Sequence, residues 1–288
     1  PTAISQVADQ ALRVTATIFL TLWLRPRGIE WAVTGVAWGF LVGELTGFLI
    51  LLAFYFAQQG ELLGELPPLK GKTGSDSPVQ IIFKLLSLAT PAVVATVLWP
   101  IMQLADSLLI PWRMEVAGFS SDAIRESLGH LGMALTLCQF PNIVTVALAT
   151  SLVPAISEAW ALKSRKLVTY RVEEALRMAL VFGIPSFAAL YVLATPLSQV
   201  LFGYPQVGEP LKILAIGTIT LGLIQATTGI LQGLGAMTIP VRNLLLGVVA
   251  KFALNYLLVA MPNLGILGAA WSTTFGWALV ATLNFVAV

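Results

Sequence analysis

Charge is scarce in this chain. Asp, Glu, Lys and Arg make up 10% of its 288 residues, against roughly 25% in a soluble domain. So few charges cannot cover a surface facing water, which excludes a water-soluble globular fold. The single cysteine, Cys138, excludes an intrachain disulfide and any multi-cysteine metal site. The single histidine, His130, cannot hold a metal alone and is assigned a structural hydrogen bond. With 16 basic and 14 acidic residues the net charge is +2, too small to indicate a nucleic-acid partner. No phosphate loop, dinucleotide fingerprint, Ser/His/Asp set or paired catalytic carboxylates occur. Neither an enzyme, a catalytic residue, a metal nor a cofactor is therefore expected. No signal peptide is legible. The chain opens at Pro1 and stops inside an apolar block at Val288, and is read as a fragment of a longer protein with helices missing at both ends.

Apolar residues are abundant, at 57%, and the mean hydropathy is +0.87. They fall in blocks long enough to cross a hydrocarbon core of about 30 Å as helices. Lipid offers bare backbone groups no partner, so the blocks are helices or strands of a closed barrel. They lack the polar–apolar alternation of barrel strands, which leaves an all-α, polytopic bundle of about eight transmembrane helices. The spans are predicted at 4–24, 32–57, 81–109, 128–158, 172–201, 211–234, 241–261 and 266–288, with kinks at Pro91, Pro100, Pro141, Pro154 and Pro185. Polar connections are predicted at 58–80, rich in Pro and Gly and suited to a linker between two halves of a bundle, at 110–127 and at 159–171. Basic residues set the orientation. Lys70, Lys72, Lys84, Lys163, Arg165, Lys166, Arg171, Arg177 and Arg242 outnumber Arg25, Arg27, Arg113, Arg125 and Lys212, so the first group is placed in the cytoplasm.

An internal repeat is legible. Gly35-Val-Ala-Trp38 and Gly268-Ala-Ala-Trp271 each open a helix, and each preceding helix carries one cation midway, Arg13 or Lys251. The pairs 1–57 and 240–288 run the same way through the membrane, as in transporter lobes related by an axis along the membrane normal. Gly35, Gly39, Gly43 and Gly47 recur every four residues, a seam for close helix packing.

Charges inside a span are costly and usually face a bundle interior or a water-filled cavity. Gln6, Asp9, Gln10 and Arg13 share one face of the first helix, and Asp9 can pair with Arg13 one turn on. They line a cavity, or they snorkel into headgroups. Gln103 and Asp106 share a face of the third helix. Asp106 either binds a coupling ion, H+ or Na+, contacts a cationic group, or caps at the interface. Gln139 and Asn142 flank Pro141, where a freed carbonyl marks either a transport site or a plain kink. Lys251, near the middle of its span with Asn255 one turn later, needs a partner or water, and Glu44 is the candidate acidic counterpart from the first helix pair. Gln225, Thr228 and Gln232 read as glue between helices.

The run Phe140-Pro-Asn-Ile-Val-Thr-Val-Ala-Leu-Ala-Thr-Ser-Leu-Val-Pro-Ala-Ile-Ser-Glu158 resembles the stage V sporulation protein B family, as do Thr228-Gly-Ile-Leu-Gln-Gly-Leu-Gly235 and Pro1-Thr-Ala-Ile-Ser-Gln6 with Arg13. These are polysaccharide-biosynthesis proteins of the multidrug/oligosaccharidyl-lipid/polysaccharide exporter superfamily, which also contains lipid II flippases. The resemblance implies a two-lobed, 14-helix fold in a bacterial cytoplasmic membrane. Residues 1–57 would be the last two helices of the N-terminal lobe, 58–80 the cytoplasmic linker and 81–288 the first six helices of the C-terminal lobe. It implies a flippase moving a lipid-linked oligosaccharide or lipid II-like precursor by alternating access, with membrane lipid and a coupling ion as further partners. Arg13, Lys251, Gln103, Asp106, Gln139, Asn142 and Asn255 are then substrate-binding candidates, and Asp106 and Glu44 ion carriers. The alternatives are a cation-coupled multidrug exporter of the same fold, and a non-transporting scaffold for envelope synthesis with its intramembrane charges neutralised in pairs.

Overall fold

The computed structural model describes residues 2–64, 97–98 and 100–288. Most of the 58–80 linker, residues 81–96 of the third predicted span, and Pro91 lie outside the described residues. The described residues are helical and contain no strand. Seven helices are long and apolar enough to cross a membrane among them. By contacts the chain divides into two compact units, Pro1–Ser77 and Pro78–Val288.

The first unit is a helical hairpin. Helix α1, Thr2–Leu24, passes through a short 3-10 turn, Arg25–Arg27, into α2, Ile29–Gly64. Gly28, at φ +121°, supplies a backbone conformation that L side chains rarely adopt, and so turns the chain. The glycine seam faces α1 along its length. A Cβ built on Gly35 would lie 2.8 Å from the backbone of Leu20, and one on Gly43 2.7 Å from the Cβ of Arg13. The Ser5 hydroxyl donates to the Gly47 carbonyl at 2.9 Å.

Among the described residues of the second unit the first helix is α3, seen at 97–98 and 100–116. The unit continues through α4, Ser121–Ala161, α5, Arg165–Val192, α6, Ala194–Phe202, α7, Gly208–Gly233, α8, Thr238–Leu258, and α9, Ile266–Ala287. Helix α7 is the most deeply packed, touching α4, α5 and α9, while α8 and α9 form a second hairpin. The main apolar core gathers Met114, Leu131, Cys138, Leu211, Leu214 and Trp277 from four of these helices. Large apolar side chains pointing outward, among them Phe140, Ile143, Phe182 and Val249, are exposed and suit contact with lipid tails.

The structure corrects three expectations. The polar stretch 110–127 is mostly helix: α3 runs to residue 116 and α4 starts at Ser121. The stretch 159–171 shrinks likewise to the turn between Ala161 and Arg165. Hydropathy marks where a helix leaves lipid, whereas a cap marks where it ends. Ser120 and Ser164 are those caps, accepting from Ala123 N and Leu167 N, each at 3.4 Å. At 41 residues, α4 extends roughly 60 Å, about twice the hydrocarbon thickness. Third, the span 172–201 is two helices, broken at Leu193. A proline ring clashes with the carbonyl four residues earlier, and Pro196 places that clash at Val192. Helix runs unbroken through Pro141, Pro154 and Pro185.

The two hairpins share an internal register. Gly268 lies on the backbone of Leu258, its notional Cβ 2.7 Å away, as Gly35 lies on Leu20. Eight residues on, Gly276 lies against Lys251 as Gly43 lies against Arg13. Each cation therefore crosses a glycine at the same place in its hairpin.

Candidate functional site

In the first hairpin Arg13 is held by two carboxylates. Its Nη2 donates to Asp9 Oδ1 and Oδ2, at 3.0 and 2.8 Å, and to Glu44 Oε1 at 2.7 Å. The glycine seam provides the room, since a Cβ on Gly43 would come within 2.6 Å of Asp9 Oδ1. The guanidinium also lies 5.2 Å from the ring centroid of Phe40, a favourable cation–π approach. Arg13 and Asp9 are mostly covered, at 19% and 16% side-chain exposure, whereas Glu44 is 70% exposed. Two carboxylates on one guanidinium leave the cluster one formal negative charge in excess. Arg13 Nε is buried without a partner.

In the second unit the buried cation has a different kind of partner. Lys251 Nζ, on α8, donates to Asp106 Oδ2, on α3, at 2.5 Å. Asn255 Nδ2, one turn along α8, donates to the other carboxylate oxygen at 2.9 Å. A carboxylate is acceptor-only, so it takes a hydrogen from the Asn255 amide and gives none to Asn255 Oδ1; that oxygen is buried and unpartnered. Burial of an ion pair in an apolar span demands such complete coordination.

This pair borders a cavity of about 450 Å³. Gln103, Asp106, Thr136, Gln139, Lys251 and Trp277 are on its wall, from α3, α4, α8 and α9. The structure thus brings Gln103, Asp106, Gln139 and Lys251 to one space. Asn255 lies behind it, buried. Asn142 is one turn away, its Nδ2 donating to Gln139 Oε1 at 3.1 Å, and its own Oδ1 accepts from Thr145 at 3.1 Å. Arg13 and Glu44 belong to the first unit, where they pair with each other.

Other candidates have structural surroundings. His130 Nε2 is 3.9 Å from Glu126 Oε1, and its ring lies against Tyr204. Thr228 accepts from Asn284, which also accepts from Asn243, tying α7, α8 and α9 together. Among the described residues no group of His, Cys, Asp and Glu could hold a metal ion. Sequence reading passed over Thr136 and Trp277. The signal for Thr136 was available, because it precedes Gln139 by three residues and shares its face. Trp277 carried none, since its approach to the cavity comes from α9 packing.

Membrane-crossing helical hairpins, buried ion pairs and a cavity of mixed polar and apolar lining inside the second unit define a multi-pass membrane protein. A solved structure titled as an outward-facing multidrug resistance MATE family transporter of the MOP superfamily shares the fold, with a TM-score of 0.57 at 16% identity over 68% of this chain and 42% of that one. The chain belongs to the family described as "Lipid II flippase MurJ", whose profile matches residues 5–287. Among similar curated proteins, "Stage V sporulation protein B" of Bacillus subtilis (strain 168) is 29% identical over 99% of this chain and 54% of its own length. "Lipid II flippase MurJ" of the same organism is 25% identical over 100% of this chain and 54% of its own length. The chain therefore spans about half the length of the curated relatives it matches.

Proposed function

We propose that this chain forms part of a flippase that carries a lipid-linked oligosaccharide, or a lipid II-like peptidoglycan precursor, across the cytoplasmic membrane by alternating access. Residues 1–57 would close the N-terminal lobe, 58–80 link the lobes and 81–288 open the C-terminal lobe. The observation that carries the reading is the cavity walled by Lys251, Asp106, Gln103 and Gln139. Its amide and hydroxyl groups suit a polyhydroxylated headgroup, and its ammonium a phosphate. A polyprenyl tail would stay among the apolar side chains facing lipid. Coupling to H+ or Na+ would run through Asp106 or Glu44, two of the three carboxylates paired with Arg13 and Lys251.

The test is transbilayer movement of fluorescent lipid II in proteoliposomes containing the complete protein. Movement that is lost in the Arg13→Ala/Lys251→Ala double variant supports the reading. Unchanged movement in that variant refutes the proposed residues, and no movement by the intact, folded protein refutes the flippase.

A second reading has one observation in its favour. Arg13 and Lys251 are both neutralised by carboxylates, as expected of a scaffold that recruits envelope-synthesis enzymes without transporting. It requires that the cavity bind no headgroup, which the same proteoliposomes examine through competition by unlabelled precursor.

A further inference from the structure

Among the described residues the cavity wall carries one cation, Lys251, and one anion, Asp106, and these neutralise each other. The remaining polar lining, Gln103, Ser107, Thr136, Gln139 and Thr273, is uncharged. An anion entering this space meets an ammonium already engaged and a carboxylate that repels it. Among the described residues of α3 and α4, two further titratable groups have contacts of their own. Arg113, two turns along α3, stacks on Tyr256, and His130 on α4 lies near Glu126 and Tyr204. α9 contributes no charged residue to the wall.

Asn255 supplies the second observation. Its amide already donates to Asp106 Oδ1, while its own Oδ1 is buried with no donor. An orphaned buried acceptor is costly. The ionised carboxylate beside it has no hydrogen to give, but a protonated one does. A carboxylic acid facing a primary amide forms two reciprocal hydrogen bonds, which would satisfy both polar atoms of Asn255. The structure thus holds one half of a pairing that a protonated Asp106 would complete.

We propose that Asp106 is an internal competitor for the anionic headgroup. On this account, which rests on the flippase reading, protonation turns Asp106 from Lys251 to Asn255 Oδ1 and frees the ammonium for the diphosphate of a lipid-linked saccharide. Each headgroup binds together with one proton. When the proton leaves, Asp106 reclaims Lys251 and the headgroup is expelled. No bond to carbon or phosphorus changes; only the proton and two hydrogen-bond partners move.

The test measures binding of radiolabelled farnesyl diphosphate to the purified protein in nanodiscs of zwitterionic lipid, with farnesol as the uncharged control. With one linked proton, Kd should weaken about tenfold per pH unit above the Asp106 titration. Asp106→Asn should bind as tightly as the parent does at low pH, with that slope gone; the titration of the diphosphate itself is common to both proteins and cancels. Lys251→Met should lose farnesyl diphosphate at every pH and keep farnesol. The Asp106→Asn/Lys251→Met variant, free of buried charge, checks that the cavity still folds. Should Asp106→Asn not elute as a monodisperse species, proton uptake by the parent decides: one proton per bound diphosphate is expected, measured above the diphosphate's own titration range. An Asp106→Asn protein that binds more weakly than the parent, or keeps its slope, overturns the proposal, and so does binding without proton uptake. If lipid II moves in proteoliposomes while the slope is absent, only this proposal fails. If neither movement nor binding occurs, the flippase reading fails with it.

Discussion

Arg113 on α3 engages Tyr256 on α8 in two ways: its guanidinium carbon lies 3.9 Å from the centre of the tyrosine ring, and its Nε donates to the tyrosine carbonyl at 2.9 Å. Seven residues earlier on α3, Asp106 engages Lys251 and Asn255. Two polar contacts two turns apart therefore clamp α3 to α8 beside the cavity.

Arginine is needed for that outer contact because its planar group stacks and donates at once, which an ammonium cannot reproduce. Arg113→Ala is expected to cost about 1 kcal/mol, and Arg113→Lys to recover little of it. Thermal unfolding of the purified protein in detergent reads both, and full recovery by lysine would show that charge alone matters there.

The inner contact should behave as a buried pair. Lys251→Ala strands a carboxylate and Asp106→Ala strands an ammonium, each costing about 3 kcal/mol, whereas the double variant should lose less than the sum. A double-mutant cycle on unfolding free energy measures the difference. Additive losses would mean that the two side chains act independently.

The hairpin glycines make a sharper steric prediction. Gly35→Ala and Gly268→Ala each drive a methyl group into the backbone of the facing helix, at Leu20 and Leu258. Backbone cannot move aside as a side chain does, so each should cost about 1–3 kcal/mol. Gly129→Ala, on α4 with nothing within 4 Å of its notional Cβ, should instead be neutral or stabilising by up to about 1 kcal/mol. Melting temperatures of the three variants, compared side by side, give the answer.

Arg13 has one covered and one exposed carboxylate. Asp9→Asn should therefore destabilise the first hairpin more than Glu44→Gln, by about 1 kcal/mol. Glu44→Gln also removes the excess negative charge of the cluster. Equal losses from the two substitutions would show that exposure of Glu44 does not weaken its hold on Arg13. The readout is again thermal unfolding, at low salt so that the exposed pair is not screened.

The crossing helices and glycine seams were legible because both are properties of one segment: length, hydropathy and spacing along a single helix. The end of a helix was less legible. Arg113, Glu115, Asp122 and Arg125 lowered the local hydropathy, yet they lie on helices that continue past the apolar stretch. The break at Leu193 was written in Pro196, but a proline three residues into a helix and one inside it look alike until the chain's course is known.

Sequence alone determined that this protein is helical and crosses a membrane several times, because lipid enforces those outcomes on any chain so poor in charge. Tertiary structure decided which acid answers which base. Glu44 neutralises Arg13 from the adjoining helix, while Lys251 is answered by Asp106, 145 residues away along the chain. The energy of an ion pair depends on distance through space, and only the folding of α3 against α8 makes that distance short.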